Sequence, residues 1–505
     1  MTPLQDFSAG RRWRVLAGVC LASAAMPMTF TGPAVALREI AAGLGDSPVA
    51  LAWVTNAFML AFGSFLMVAG ALADRHGRRR VFVCGVVGFI GTSMALLAAP
   101  GIVVFDLLRG LQGLASAAVF AGGAATLAQE FDGPVRLRAF SMLGTSFGIG
   151  LTLGPLAAGW LTAAWGWRAI FLLVIGCATV ALLIARPAMR ESRDPAAHAL
   201  DWPGALTFTL TLSIFTWGVL QAPERGWSSA STIGSLGAAA VFLAWFVRIE
   251  RRTARPMLDL DLFRYPHFVG VQLLAAAPAY GFVVLLVLLP IRFVGIEGMG
   301  SAQAGLAMMA LSAPLVVLPL VAGLLAQRVR PGMLCGGGLL AAAAGLVWLA
   351  GAHDAHAALA PMLLIGAGIS LPWGLMDGLA VSVVPRERAG MATGIFSTTR
   401  VAGEGLALAI VGAGLSALAA LRLAPLGCPV PTSLIAQRLV AGDLAGAAAQ
   451  CPTVPAQILA HAFQDAFSTL ALVLAAVTTL TALVVFVFLA RGAETGASST
   501  LAQPS

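Results

Sequence analysis

Gly70-Ala71-Leu72-Ala73-Asp74-Arg75-His76-Gly77-Arg78-Arg79-Arg80 is a short polar knot between two long apolar runs, one beginning near Val49 and the other ending near Ala99. Membrane-length segments on either side of an aspartate, glycines and clustered arginines read as two spanning helices joined by a tight cytoplasmic turn. Gly70 and Gly77 let the backbone bend and let helices approach closely. Asp74 can compensate a helix N-terminus, while Arg75 and Arg78 can answer carboxylates or helix C-termini.

The chain has 505 residues, 59% hydrophobic and 10% charged. Soluble domains carry about a quarter charged residues, so a soluble globular fold is excluded. The formal charge of +8 does not imply a nucleic-acid partner. All 30 basic residues are arginine, set in short clusters between apolar runs, whereas a nucleic-acid binder gathers its cations on one soluble face. Arg11-Arg12-Trp13-Arg14 ahead of Ala22-Ser23-Ala24 has the outline of a secretion signal, but apolar character continues from Met26 to Leu37. An uncleaved first helix is expected.

A spanning helix needs about 20 mostly apolar residues. Fourteen stretches qualify: 14–37, 49–72, 81–99, 102–129, 139–162, 168–186, 203–222, 230–248, 267–291, 302–326, 332–352, 357–383, 389–419 and 465–490. With a cytoplasmic N-terminus, 22 arginines fall on the inner side, six fall outside, and Arg109 and Arg400 lie within spans. One miscounted helix would scramble that asymmetry. Fourteen spans with both ends cytoplasmic are therefore expected.

The chain also repeats itself. Gly70-Ala71-Leu72-Ala73-Asp74-Arg75 returns as Gly323-Leu324-Leu325-Ala326-Gln327-Arg328, and Arg136-Leu137-Arg138-Ala139 returns as Arg386-Glu387-Arg388-Ala389. The offsets, 253 and 250 residues, agree on one duplication of six helices. The expected fold is all-α and integral to the membrane: 14 transmembrane helices, as two pseudo-symmetric six-helix bundles plus inserted helices 7 and 8. The divisions fall at 1–200, 201–255 and 256–505, with a long outer loop at 421–463. Gln327 replaces the aspartate in the second copy, so that loop should have lost part of the first one's role.

The opening stretch resembles the loop signature between helices 2 and 3 of the major facilitator superfamily, with every signature position filled. Further stretches resemble its fourteen-helix drug:proton antiporter branch, over nearly the whole chain. They are Leu108-Arg109-Gly110-Leu111-Gln112-Gly113, the helix-5 run Gly150 to Gly159 (Ala158 standing where a glycine is usual), Asp201-Trp202-Pro203-Gly204, and Pro256 to Arg264. The resemblance implies proton-coupled efflux of small amphipathic compounds by alternating access across a bacterial inner membrane, with no enzymatic reaction and no cofactor. The implied partners are a substrate, protons and the bilayer, and the chain is expected to act as a monomer. Thr29 stands where the branch usually carries a helix-1 aspartate; if that acid carries protons in relatives, this chain must do so elsewhere or work differently.

Charged groups inside spans must line a cavity or find a partner. Arg109 lies one turn from Asp106, and the two are either a relay facing a central cavity or a local ion pair. Glu404 follows Arg400 by four residues and takes the repeat position of Gly154. Desolvated at that depth it is placed to take up and release a proton, unless it is held in a bridge to Arg400. Asp377 sits nearer the cytoplasmic end. Gly150, Gly154, Pro155 and Gly159 suit close helix contact with a kink. Met26, Met28, Trp53, Phe58, Trp373 and Phe396 are candidates to line an apolar cavity.

Cys428 and Cys451 share the long outer loop and are expected to form a disulfide, with a helical stretch at 431–450 between them. Cys20, Cys84, Cys177 and Cys335 read as inert small hydrophobes. His353-Asp354-Ala355-His356 reads as a solvated turn rather than a metal site. A second reading is movement of an organic anion or a secreted metabolite such as a siderophore, its carboxylate held by Arg109 and Arg400.

Overall fold

The computed structural model describes residues 3–45, 47–131, 133–193, 201–253, 256, 258–383 and 389–489. Arg255, Met257, Arg386, Glu387, Arg388 and Arg491 lie outside these residues. Among the described residues all regular structure is helical. Among these same residues fourteen helices are long and apolar enough to cross a membrane. They are α1 (Gly10–Val35), α2 (Pro48–His76), α3 (Arg78–Leu97), α4 (Ile102–Glu130), α5 (Arg138–Trp165), α6 (Arg168–Ala188) and α7 (Trp202–Arg225). The chain continues with α8 (Ala230–Glu250), α9 (Pro266–Ile296), α10 (Ser301–Leu325), α11 (Pro331–Ala350), α12 (Ala355–Ala380), α13 (Gly394–Leu426) and α14 (Ala456–Leu489).

Two helices depart from the hydropathy reading. α14 begins at Ala456, nine residues ahead of the expected 465. Gln457, His461, Gln464 and Asp465 are too polar for a span but compatible with a helix, so the helix projects beyond the apolar stretch. The outer loop is correspondingly shorter than 421–463. α9 contains two π turns, Ala279–Val283 and Arg292–Ile296. Each follows a proline, Pro278 or Pro290, whose missing N–H breaks the regular ladder.

α1 packs along α5 and α6, and α4 along α2 and α3; in the second half α11 packs along α12 and α14, and α10 along α12. The two groups meet at α2 with α13 and at α5 with α10. Both meetings are made by small residues. A Cβ on Gly63 would stand 2.7 Å from the Ala402 backbone, and one on Gly405 would stand 3.2 Å from Met59. At the other seam Gly159 lies on the Ser301 carbonyl, Gly305 lies on the Pro155 carbonyl, and Thr152 donates to the Ser312 carbonyl at 2.8 Å. Lipid tails give apolar helices no hydrophobic reason to associate, so backbone proximity has to hold them.

The closest contacts run from mid-helix toward the face that carries the 428–451 segment, called here the disulfide face. Toward the opposite, arginine-rich face Gly144 of α5 has no neighbour within 4 Å and much of α10 beyond Val316 is exposed. At the α5–α10 seam the groups are close toward the disulfide face and apart toward the other, while α2 and α13 stay near each other as far as Met67 and Gly394. α7 lies across the first seam: Val219 and Leu220 pack with Ala409 and Ala413 of α13, and Trp217 meets Trp53 of α2 at 6.0 Å.

Candidate functional site

The turn after α2 is fixed on the arginine-rich face. Gly77 has φ +118°, a region nearly closed to other residues, and a Cβ there would strike the Glu191 carboxylate. Arg78 donates from Nε and Nη2 to Asp74 Oδ1 at 3.1 and 2.9 Å, and from Nη1 to Gln129 at 2.9 Å. Its backbone N–H reaches the Ser192 carbonyl, and Arg80 pairs with Glu191 at 3.5 Å. Beside them Arg11 grips Glu130 through both nitrogens, at 2.8 and 2.6 Å. The turn thus ties α2 and α3 to the ends of α4 and α6. Gly70 does not share Gly77's constraint: it is helical with open space around it, so no close approach requires a glycine there. Arg75 is exposed. In the second copy Gly323, Gln327 and Arg328 are exposed.

Arg109 is fully buried, and its hydrogen-bond partners belong to the first helix group. Its Nε donates to the Val54 carbonyl at 2.8 Å, Nη1 donates to Gln112 Oε1, and the guanidinium lies 4.6 Å from the Phe58 ring centroid. Gln112 in turn donates to Ser93 Oγ at 2.7 Å. The local ion pair with Asp106 is not formed, and Asp106 Oδ1 is buried without a partner. The Val54 carbonyl and the Gln112 amide accept from two of the Arg109 nitrogens, and Nη2 is buried without a partner. Arg109 therefore ties α2, α3 and α4 together. Gln112 stands inside the arginine motif, yet its role becomes visible only through this network.

Arg400 turns to α12. Its Nη1 lies 3.5 Å from Asp377, with Trp373 and Phe396 rings 5.8 and 5.7 Å from the guanidinium. The Arg400–Glu404 bridge is absent, and Glu404 is buried one turn along the same face of α13. Asp377 is 56% exposed and Arg400 only 9% in their side chains, so the pair marks the boundary between core and solvent. The ion pair is neutral overall and framed by aromatic faces, an arrangement suited to an apolar ligand with a polar end.

Phe58, Trp373 and Phe396 belong to the largest apolar cluster, which includes residues of both helix groups. Sequence reading did not single out the aromatic chain that continues it: Phe30, Phe58, Phe62, Phe120 and Phe147 follow one another at 5.9 to 6.4 Å, drawn from α1, α2, α4 and α5. Phe282 of α9 stands 6.3 Å from Trp373. Three expected cavity residues lie elsewhere. Met26 is in the interior of the first group, Met28 packs beside that interior, and Trp53 faces the inserted α7. Helical periodicity assigns a face but not the neighbour it meets.

Gly150 and Gly154 face α1, against Ala24 and against Met28 and Thr31, while Pro155 and Gly159 face α10. α5 runs through Pro155 as one helix. Thr29 donates to the Ala25 carbonyl of its own helix at 2.9 Å and is buried. Cys428 and Cys451 are joined in a disulfide around two short helices, Thr432–Val440 and Leu444–Gln450. Asp354 caps α12 by accepting from the Ala357 N–H at 2.8 Å, and no metal-holding cluster occurs among the described residues.

Two helix groups meeting backbone to backbone about an interior that holds charges suit a membrane transporter whose halves rock against each other. That is the class the architecture defines. The family model described as Major Facilitator Superfamily matches residues 17–408, and the chain belongs to that superfamily. It is 32% identical over 395 residues to the multidrug resistance protein Stp of Mycobacterium tuberculosis, covering 77% of this chain and 73% of that protein. It is 31% identical to the puromycin resistance protein pur8 of Streptomyces alboniger, covering 79% and 81%, and 30% identical to the probable actinorhodin transporter of Streptomyces coelicolor, covering 80% and 72%. Among solved structures, a bacterial homologue of the human lysosomal transporter Spinster aligns with TM-score 0.64 at 16% identity, covering 95% of this chain and 97% of that one.

Proposed function

We propose that this protein exports small amphipathic, drug-like molecules by alternating access, driven by protons moving the other way. The observation that carries the reading is the Asp377–Arg400 pair between Trp373 and Phe396, with Glu404 buried one turn deeper. In this reading the aromatic faces hold the substrate body, Asp377 and Arg400 orient its polar end, and Glu404 carries the proton. Arg109 is a positioning residue that keeps Phe58 in place. The names of the resistance and export relatives support the direction and the substrate class.

The excess of arginines on the face with the Asp74–Arg78 turn supports placing that face in the cytoplasm of a bacterial inner membrane. The described arrangement would then admit substrate from the cytoplasm and be sealed outside. Substrate-induced proton release and counterflow in proteoliposomes, run over a panel of amphipathic compounds, test the reading. Glu404→Gln is expected to abolish both signals while the protein still folds and binds substrate. Unchanged proton release in that variant removes Glu404 from the path, and no release from any compound removes the coupling.

A further inference from the structure

A cleft of about 100 Å³ opens on the disulfide face, away from the residues just assigned. Leu51 and Asn56 of α2 form one wall, Ile291 of α9 with Leu408 and Ser416 of α13 the other, and Gln437 from the disulfide-closed segment borders it. Three polar atoms around it are buried without a hydrogen-bond partner: Asn56 Oδ1, Ser416 Oγ and Gln437 Nε2. The side chains are far from solvent, at 3, 4 and 8% residue exposure. The Asn56 amide nitrogen already donates to the Ala52 carbonyl at 2.9 Å, which leaves its oxygen free to accept. Buried polar atoms are nearly always paired, so three orphans around one apolar cleft ask for a ligand.

The donor set defines its chemistry. An acceptor, an amide donor and a hydroxyl of either sense around an apolar cleft suit a ligand that carries a hydroxyl or an amide. No ionisable side chain lines the cleft, so a charged ligand would be desolvated without a partner. The space takes one ring or a short chain, well below the 300–1,000 Å³ or so of sites that enclose a drug-sized molecule. We propose that this cleft binds neutral amphipathic molecules by a hydroxyl or amide head, with the apolar body among Leu51, Ile291 and Leu408. Its walls belong to both helix groups. Occupancy therefore favours the arrangement closed at the disulfide face and slows the transport cycle without competing at the Arg400 site.

The test uses the full chain in proteoliposomes and a photoreactive short-chain alkyl-diazirine alcohol, with mass spectrometry locating the label. It needs no transport, so it stands or falls apart from the proton-coupled reading. Label is expected on Leu408 and its cleft neighbours, displaced by benzyl alcohol and not by benzylammonium. Asn56→Leu and Gln437→Leu should each lower it about fivefold or more. Ser416→Ala, a smaller change that spares the fold, should lower it in the same direction. Probe dissolved beforehand in the lipid labels the cleft if the ligand arrives from the bilayer, and probe added to water labels it if the ligand arrives from solution. Label spread evenly over lipid-facing residues, displacement by benzylammonium, or label unchanged in all three variants overturns the proposal.

Discussion

Arg400 Nη1 stands 3.5 Å from the Asp377 carboxylate on the neighbouring helix, although Glu404 is the carboxylate one turn away on its own. A contact between helices has displaced the local pairing. Arg400→Gln takes the cation from between Trp373 and Phe396 and should cut efflux about tenfold or more, with little change in melting temperature. Asp377→Asn leaves the buried Arg400 cation unpaired and should cost more stability than Arg400→Gln, which leaves Asp377 to solvent. Equal efflux from wild type and Arg400→Gln, measured with a fluorescent substrate in cells, would remove the pair from the site.

The two glycines of the opening turn should part company. Gly77→Ala forces a side chain into φ +118° and into Glu191, and is expected to lose about 1–3 kcal/mol. Gly70→Ala, in a helix with free space, should gain about 0.5–1 kcal/mol. Melting curves of the purified variants decide it: a loss of equal size at both positions contradicts the structure.

At the second seam Gly159→Val would push α5 off the Ser301 carbonyl and is expected to abolish efflux and destabilise this arrangement, whereas Gly144→Val meets no neighbour in it and should fold and express normally. The check is a resistance assay and a melting curve of the two variants side by side.

Cys428 and Cys451 are 23 residues apart, and closing a loop of that size stabilises by about 3 kcal/mol in the chain-entropy view. Reductant, or Cys428→Ser, should expose the segment to limited proteolysis between Thr432 and Gln450 well before the spans are cut. Identical digestion with and without reductant would contradict that role.

Just past α9, burial holds the Glu297 carboxyl above its ordinary 4.5, outweighing Arg292 and the Ala355 N–H it accepts from. The folded chain therefore keeps this proton better than the unfolded chain. Its share of stability is present below about pH 4.5 and is lost as pH rises through the folded value. Glu297→Gln should remove that slope from the melting temperature above about pH 4.5. A slope that persists assigns it to another group.

The helices were legible because a span must be long and apolar, and because arginine accumulates on one side of the membrane. The start of α14 escaped because hydropathy detects lipid contact, and Gln457 to Asp465 are helical outside it. Pro278 and Pro290 were the visible signal for the π turns of α9. For the site, spacing placed Arg400 and Glu404 on one face and Arg109 near Asp106. It could not supply the Val54 carbonyl or Asp377, which lie 55 and 23 positions away along the chain and arrive only through packing.

At Gly63, Gly159 and Gly305 helix meets helix through the absence of side chains. Every possible replacement at such a position adds bulk, so these contacts have no larger neighbour in sequence space to drift toward. Binding residues can diversify as cargo changes, while the rubbing surfaces stay frozen. Relatives with different cargoes should therefore differ most around the aromatic chain and least along the seams.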